Sequence, residues 1–187
     1  MKKRAAEAPT DVGYFTLTGD VNSDMVRRVF DAISLFSSDQ LRTAHILLQS
    51  NGGYVSDGIC IYNTLRNGPT EIVMYNAGAV ASIAVIVFLA ADKRIASDTA
   101  RFMLHKSHAT LPTGARPDAI QIIVDGLLAD DRRTEAILRR HVGLPATAWD
   151  VHAATDLHLT SEDALKVGLI TRIDQFMPPF GAMVRTI

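Results

Sequence analysis

Residues 44–65, AHILLQSNGGYVSDGICIYNTL, change character at a pair of glycines. Ala44 to Leu48 is a short apolar run of the length expected of a buried strand, and Ser50-Asn51-Gly52-Gly53 supplies a sharp turn. Val55 to Leu65 then reads as an amphipathic helix. The same unit recurs on both sides. Upstream, Val12 to Thr18 is rich in aromatic and β-branched residues and ends at Gly19-Asp20, a strand closed by a turn. From Ser23 to Phe36, Met25, Val26, Val29, Ile33 and Phe36 recur at helical spacing, with Asn22 or Ser23 placed to cap the free N–H groups. Downstream, Glu71 to Tyr75 reads as strand, Val80 to Ala91 as helix, and Arg94 to Ala96 and Phe102 to Leu104 as short strands. Parallel neighbours joined by right-handed crossovers need a helix between them, so this alternation predicts an α/β fold with a parallel sheet flanked by helices.

The rest of the chain fits that frame. His105 to Pro117 lacks periodicity and reads as a loop. Asp118 to Val142 carries Ile120, Ile123, Val124, Leu127, Leu128, Ile137 and Leu138 along one stripe of a long helix. Asp130-Asp131-Arg132-Arg133 interrupts it, most simply as a solvated face or a subunit contact. Pro145 to Ala154 predicts a short helix, Leu157 to Leu159 an extended piece, Thr160-Ser161-Glu162-Asp163 a capping box, and Leu169 to Ile173 the last strand. The 187 residues suit one domain, with residues 1–11 as a short extension, 12–175 as the domain and 176–187 as a tail.

Composition narrows the function. Nineteen Lys and Arg against 20 Asp and Glu leave no field that would draw in nucleic acid or an anionic membrane. Cys60 is the only cysteine, so no internal disulfide forms, and a reducing, cytoplasmic setting is expected. Residues 1–9 pass from Lys and Arg into Glu and Pro without an apolar segment, so export is not indicated. The most apolar stretch, Ala77 to Ala91, falls short of the roughly 20 residues that cross a bilayer.

Four places carry candidate chemistry. Gly78-Ala79-Val80-Ala81-Ser82-Ile83-Ala84 is a strand-to-helix junction of small residues around one hydroxyl. Unpaired N–H groups at a helix start favour developing negative charge, so Ser82 suits a nucleophile and the Ile83 N–H an oxyanion donor. Taken alone, the segment reads more simply as a small residue packed in a tight helix crossing. Gly52 and Gly53 lie at the C-terminal end of a strand, where parallel sheets gather ligands. A second oxyanion donor from Gly53 and an edge for an extended peptide would both fit there, as would a plain turn. His105 ends its strand at the same edge, where an imidazole acts as a general base, although His45, His108, His141, His152 and His158 compete for any role. His105 with His108 lacks the carboxylates that would complete a metal site. Asp156, just before the last helix, is either a turn residue or the group that fixes the His105 tautomer.

Together these segments resemble ClpP, the Clp protease proteolytic subunit family, over about Phe15 to Ile173. Ser50-Asn51-Gly52-Gly53 is similar to the family's Asn-Ser-Pro-Gly-Gly, and Gly78 to Ile83 to its Gly-Gln-Ala-Ala-Ser-Met. Phe102 to His105 resembles the segment of its histidine, and Asp156 to Ala164 the segment opened by its aspartate. The resemblance implies the ClpP/crotonase-like fold of repeated β-β-α units with a protruding helical handle, here about residues 106–142. It further implies a Ser82–His105–Asp156 serine endopeptidase with Gly53 and Ile83 as oxyanion hole and Gly52 and Gly53 lining the peptide. No cofactor or metal is called for; the implied partners are peptide or unfolded protein, further copies in a ring, and an AAA+ unfoldase. Several positions depart from the pattern. Only about a dozen residues precede the first strand, Lys106-Ser107 replaces the usual Gln-Pro, Gly114 is what remains of a Gly-rich strand, and Thr155 replaces an arginine of ring-to-ring contacts. Two other expectations share the fold: a crotonase-type acyl-CoA enzyme, which needs no such triad, and a non-catalytic ring subunit.

Overall fold

In the computed structural model, which describes residues 11–187, the alternation builds two sheets. β1 (Val12–Thr18) passes through α1 (Ser23–Ser38) to β2 (Thr43–Gln49), and α2 (Val55–Arg66) carries the chain on to β3 (Glu71–Asn76). β4 (Ala79–Ala81), α3 (Ile83–Phe88), β5 (Lys93–Ala96) and β6 (Arg101–Leu104) follow in quick succession. The long α4 (Pro117–His141), α5 (Ala146–Ala154), β7 (Leu157–Thr160), α6 (Ser161–Lys166), β8 (Arg172–Ile173) and β9 (Val184–Thr186) complete the order. The main sheet runs β8-β5-β3-β2-β1-β9 with every neighbour parallel. The smaller sheet runs β4-β6-β7, with β4 parallel and β7 antiparallel to β6.

Side-chain chemistry accounts for the elements. Asn22 caps α1 by accepting the Met25 N–H at 3.0 Å, and the face Met25, Val29, Ala32 and Phe36 is buried at helical spacing. Phe36 meets Phe15 of β1 with ring centroids 4.8 Å apart, each such side chain contributing roughly 1.5–3 kcal/mol on burial. α3 is buried on every side, as an apolar helix at the centre of a domain must be. Arg94 crosses from β5 to the turn after α6, where its buried guanidinium donates to the carbonyls of Ala91, Gly168 and Leu169. α6 opens on the expected capping box between Thr160 and Asp163.

Three expectations are corrected. The helix expected from Val80 starts only at Ile83, because residues 79–81 pair with β6 and Ser82, at φ 56, cannot continue a helix. The strand expected over Leu169 to Ile173 shrinks to Arg172–Ile173, because Leu169 and Ile170 close the α6 turn through N–H bonds to Ala164. It is also not the last strand: β9 returns to β1, held by the Ile187 N–H on the Thr16 carbonyl and by Arg185 on Asp39. Three exposed residues without apolar alternation gave no sign of it. Residues 1–10 of the expected N-terminal extension lie outside the described residues. In α4 only Ile137 and Leu138 are buried; of the rest of the expected stripe Ile120, Ile123 and Leu127 are half-buried and Val124 and Leu128 exposed, and Ile122 beside it is 73% exposed.

Candidate active site

Strand direction gathers the site. β2 and β4 meet at an isolated parallel bridge between Ser50 and Val80, and β4 and β6 pair in parallel, so their C-terminal ends share one edge. That edge presents the Gly52-Gly53 turn, Ser82 and His105 side by side. β7 runs the other way, which brings its N-terminal end to the same place.

Ser82 occupies φ 56 and ψ −134, a left-handed conformation that costs a residue with a Cβ on the order of 1–3 kcal/mol. Its neighbours hold it there: the Ser82 N–H donates to the Met103 carbonyl at 2.7 Å, and its own carbonyl accepts the Val85 N–H. This sharp strand-to-helix turn lifts Oγ out of the buried helix start, as a nucleophile elbow does. His105 Nε2 lies 2.7 Å from Ser82 Oγ. The structure thus brings two of the predicted residues into hydrogen-bond contact.

Asp156 is a different matter. Its register position is favourable: the last antiparallel pair is Leu104 with Leu157, and one step further the ladder sets Asp156 beside His105. Yet Asp156 is exposed, and no hydrogen bond joins it to His105. The backbone donors look more ready. Ile83 is the first residue of α3, whose opening N–H groups have no partner within the helix. Gly53, at φ 153, bridges Val21, and the flanking bonds Val21 N–H to Gly52 carbonyl and Tyr54 N–H to Val21 carbonyl leave its own N–H free among the described residues. A Cβ on Gly53 would run into the Val21 carbonyl. Gly52 spends its N–H on Ser50 Oγ and its carbonyl on Val21, and its lack of a side chain lets the turn approach Ser82.

Around these groups lies a cleft of about 720 Å³, walled on one side by Val55, Ile86, Leu127 and Leu138 and edged by Asp130 and Thr134. Such a mixed lining suits an apolar side chain beside an extended backbone. His108 stacks obliquely near His105, ring centroids 5.1 Å apart, but no group of three or more His, Cys, Asp or Glu among the described residues converges as a metal site would. Of the other histidines, His45 bonds Tyr75 and His141 bonds Tyr62, both away from the cleft, while His152 is buried in its wall. Burial pushes the pKa of all three down.

The sequence reading missed one group. Asp131, placed there in a solvated block, accepts the Ser107 N–H at 2.7 Å, and Glu135 pairs with Lys106 at 2.9 Å. Their i, i+4 spacing put both carboxylates on one face of α4, a signal present in the sequence but without a visible partner.

Comparison with known proteins gives the family and the fold. The family model described as Clp protease matches residues 10–176. The ATP-dependent Clp protease proteolytic subunit 2 of Pseudomonas aeruginosa is 25% identical over 159 residues, 84% of this chain and 78% of that protein. The ATP-dependent Clp protease proteolytic subunit 3 of Streptomyces coelicolor is 28% identical over 175 residues, 92% of this chain and 80% of that one. Among solved structures, a mutant ClpP1 from Listeria monocytogenes shares the fold, with a TM-score of 0.76 over 89% of this chain and 92% of its own at 20% identity.

Proposed function

The chain belongs to the Clp protease family and is a Clp-type serine peptidase; from this we propose that Ser82, His105 and Asp156 are its catalytic triad. The observation that carries the reading is the 2.7 Å contact between His105 Nε2 and the Oγ of a serine in a strained left-handed turn. Ser82 Oγ attacks the scissile carbonyl while His105 Nε2 takes its proton. The oxygen of the tetrahedral intermediate receives the Gly53 and Ile83 N–H groups, and collapse expels the amine, which leaves with the proton from His105. Water, deprotonated by His105, then releases the acyl group and restores Ser82. Asp156 accepts the Nδ1–H of His105 once its side chain turns inward, fixing the tautomer in which Nε2 is the base. Gly52 and Gly53 border the bound peptide.

The substrate is a peptide or unfolded protein, since the cleft admits an extended chain at the sheet edge. The exposed Ile122, Val124 and Leu128 of α4 together with exposed Met177 and Phe180 support a homo-oligomeric ring, because so much apolar surface on a monomer is an aggregation liability. The lone Cys60 supports a cytoplasmic setting. Among the described residues no helix is long and apolar enough to cross a membrane.

The test is fluorophosphonate labelling with peptide mapping, alongside hydrolysis of fluorogenic peptides. The label falls on Ser82, and Ser82→Ala loses both label and turnover while the chain keeps its thermal transition. Turnover by Ser82→Ala at the wild-type rate overturns the assignment.

A further inference from the structure

Beyond His105 the chain leaves β6 and is gripped from the side by α4. The Ser107 N–H donates to Asp131 Oδ1 at 2.7 Å, and Lys106 Nζ lies 2.9 Å from Glu135 Oε2. Glu135 also takes Nε of Arg139 at 2.9 Å, and the Arg139 guanidinium lies 4.0 Å over the Trp149 ring of α5. The Lys106–Glu135 pair is only 31% exposed on either side, and Lys106, followed by Arg139, holds the Glu135 carboxyl below the usual carboxylate range. Two consecutive residues after the base are therefore fastened to one helix face, through carboxylates one turn apart.

The grip bears on His105 because the ring has few side-chain ties of its own, the oblique stack on His108 at 5.1 Å being one. Its hydrogen bond is to Ser82, and Asp156 does not reach it. Between the His105 Cα and the Ser107 nitrogen there are fewer than two full peptide units, a lever of roughly 5–6 Å at full extension. A shift of the Ser107 amide is passed to the imidazole with little loss.

We propose that Asp131, with Glu135 behind it, is a positioning residue for His105, holding the segment after β6 so that Nε2 stays within reach of Ser82. This rests on the reading of His105 as the base of Ser82. Neither carboxylate touches substrate in this account. They act through the backbone of Lys106 and Ser107.

The test uses the full chain at matched assembly state, checked by sedimentation, and measures both steady-state peptide hydrolysis and the second-order rate of fluorophosphonate labelling at Ser82. Asp131→Ala lowers kcat and the labelling rate together by about 10- to 100-fold, with KM changed less than about twofold, as a misplaced base does. Asp131→Asn, which keeps an acceptor oxygen for the Ser107 N–H, recovers most of the loss. Ser107→Pro removes the donor by a second route and gives a similar deficit, and combining it with Asp131→Ala adds little, because both break one bond. Labelling of a folded Asp131→Ala or Ser107→Pro chain at the wild-type rate overturns the proposal, and so does an Asp131→Asn chain as slow as Asp131→Ala. A wild-type chain that cleaves peptides without labelling at Ser82 overturns the triad, and the clamp falls with it; that outcome is separate, because it appears before any α4 variant is made.

Discussion

Replacing Gly52 with alanine adds one carbon against Ser82, the proposed nucleophile. On the present backbone that Cβ would stand 2.5 Å from Ser82 Cβ, 3.0 Å from Ser82 Oγ and 3.1 Å from the Ala81 carbonyl oxygen. Carbon atoms rest about 3.5–4.0 Å apart, so the turn and Ser82 must separate by roughly 1 Å. The Ser82–His105 contact of 2.7 Å has little room for that, since hydrogen bonds weaken beyond about 3.2 Å. Misplacing a reacting group by about 1 Å costs on the order of 10²-fold, which is the expected fall in kcat/KM. Gly52 also sits at φ 109, where a side chain adds about 1–3 kcal/mol of backbone strain. In a chain of this size each kcal/mol lowers Tm by about 2–4 °C. Gly114→Ala separates the two effects: its φ is 76, but nothing lies within 4 Å of the added carbon, so it lowers Tm and leaves peptide hydrolysis unchanged. Fluorogenic peptide turnover, Ser82 labelling rate and thermal unfolding are measured on all three chains. A folded Gly52→Ala chain that labels at the wild-type rate would show that the turn does not set the position of Ser82.

Asp156→Asn lowers kcat by at least about 10²-fold with KM nearly unchanged, because His105 then prefers the wrong tautomer, whereas Asp163→Asn weakens only the α6 capping box and leaves kcat alone; equal rates for Asp156→Asn and wild type remove Asp156 from the triad. Arg94→Lys costs about 2–4 kcal/mol in urea denaturation, since one ammonium cannot serve the carbonyls of Ala91, Gly168 and Leu169 that the buried guanidinium joins, and a loss below about 0.5 kcal/mol contradicts this. Burial holds His45, His141 and His152 below the ordinary histidine range, so in the fold they stay neutral where the unfolded chain already binds protons. Unfolding then takes up protons, the histidine contribution is fully present above about pH 6.5 and is lost as pH falls through the folded values, and a denaturation midpoint that does not drop between pH 7.5 and 5.5 refutes it.

Much of the fold was legible because each main-sheet strand up to β5 carries its own signal. The apolar run Ala44 to Leu48 and the spacing of Met25, Val29 and Phe36 name their elements without reference to the rest of the chain. The candidate site was legible for a related reason: Gly52, Ser82 and His105 each stand where a strand ends, and strands that run parallel end together. What escaped was whatever depended on distant partners. β9 is defined by its pairing with β1 and by Arg185 on Asp39, across almost the whole chain, and three exposed residues cannot announce that. The start of α3 was misplaced because an apolar run does not reveal a left-handed residue; the break is enforced by the Ser82 N–H bond to Met103, which only the folded register supplies. Ser107 was visible as a departure from the resembled pattern, but its meaning lies in Asp131 on another element. Where proline would stand there is no N–H to give.

The contrast between the two neighbours of His105 follows from how their strands are tied. Ser82 is fixed by a parallel ladder that continues through it, since its own N–H is bonded to β6 and its carbonyl opens α3. Asp156 lies one step beyond the end of an antiparallel ladder, after the Thr155 N–H that closes α5, where no backbone bond to β6 restrains it. An exposed carboxylate keeps its water, and turning it toward an imidazole exchanges one solvation for another with little net gain until charge develops on the ring. In the proposed mechanism that gain arrives in the transition state, when His105 becomes a cation. On that proposal a carboxylate free to answer at that moment contributes more to the rate than to the resting structure, which is consistent with a fold in which His105 meets Ser82 while Asp156 is exposed and makes no bond to the ring.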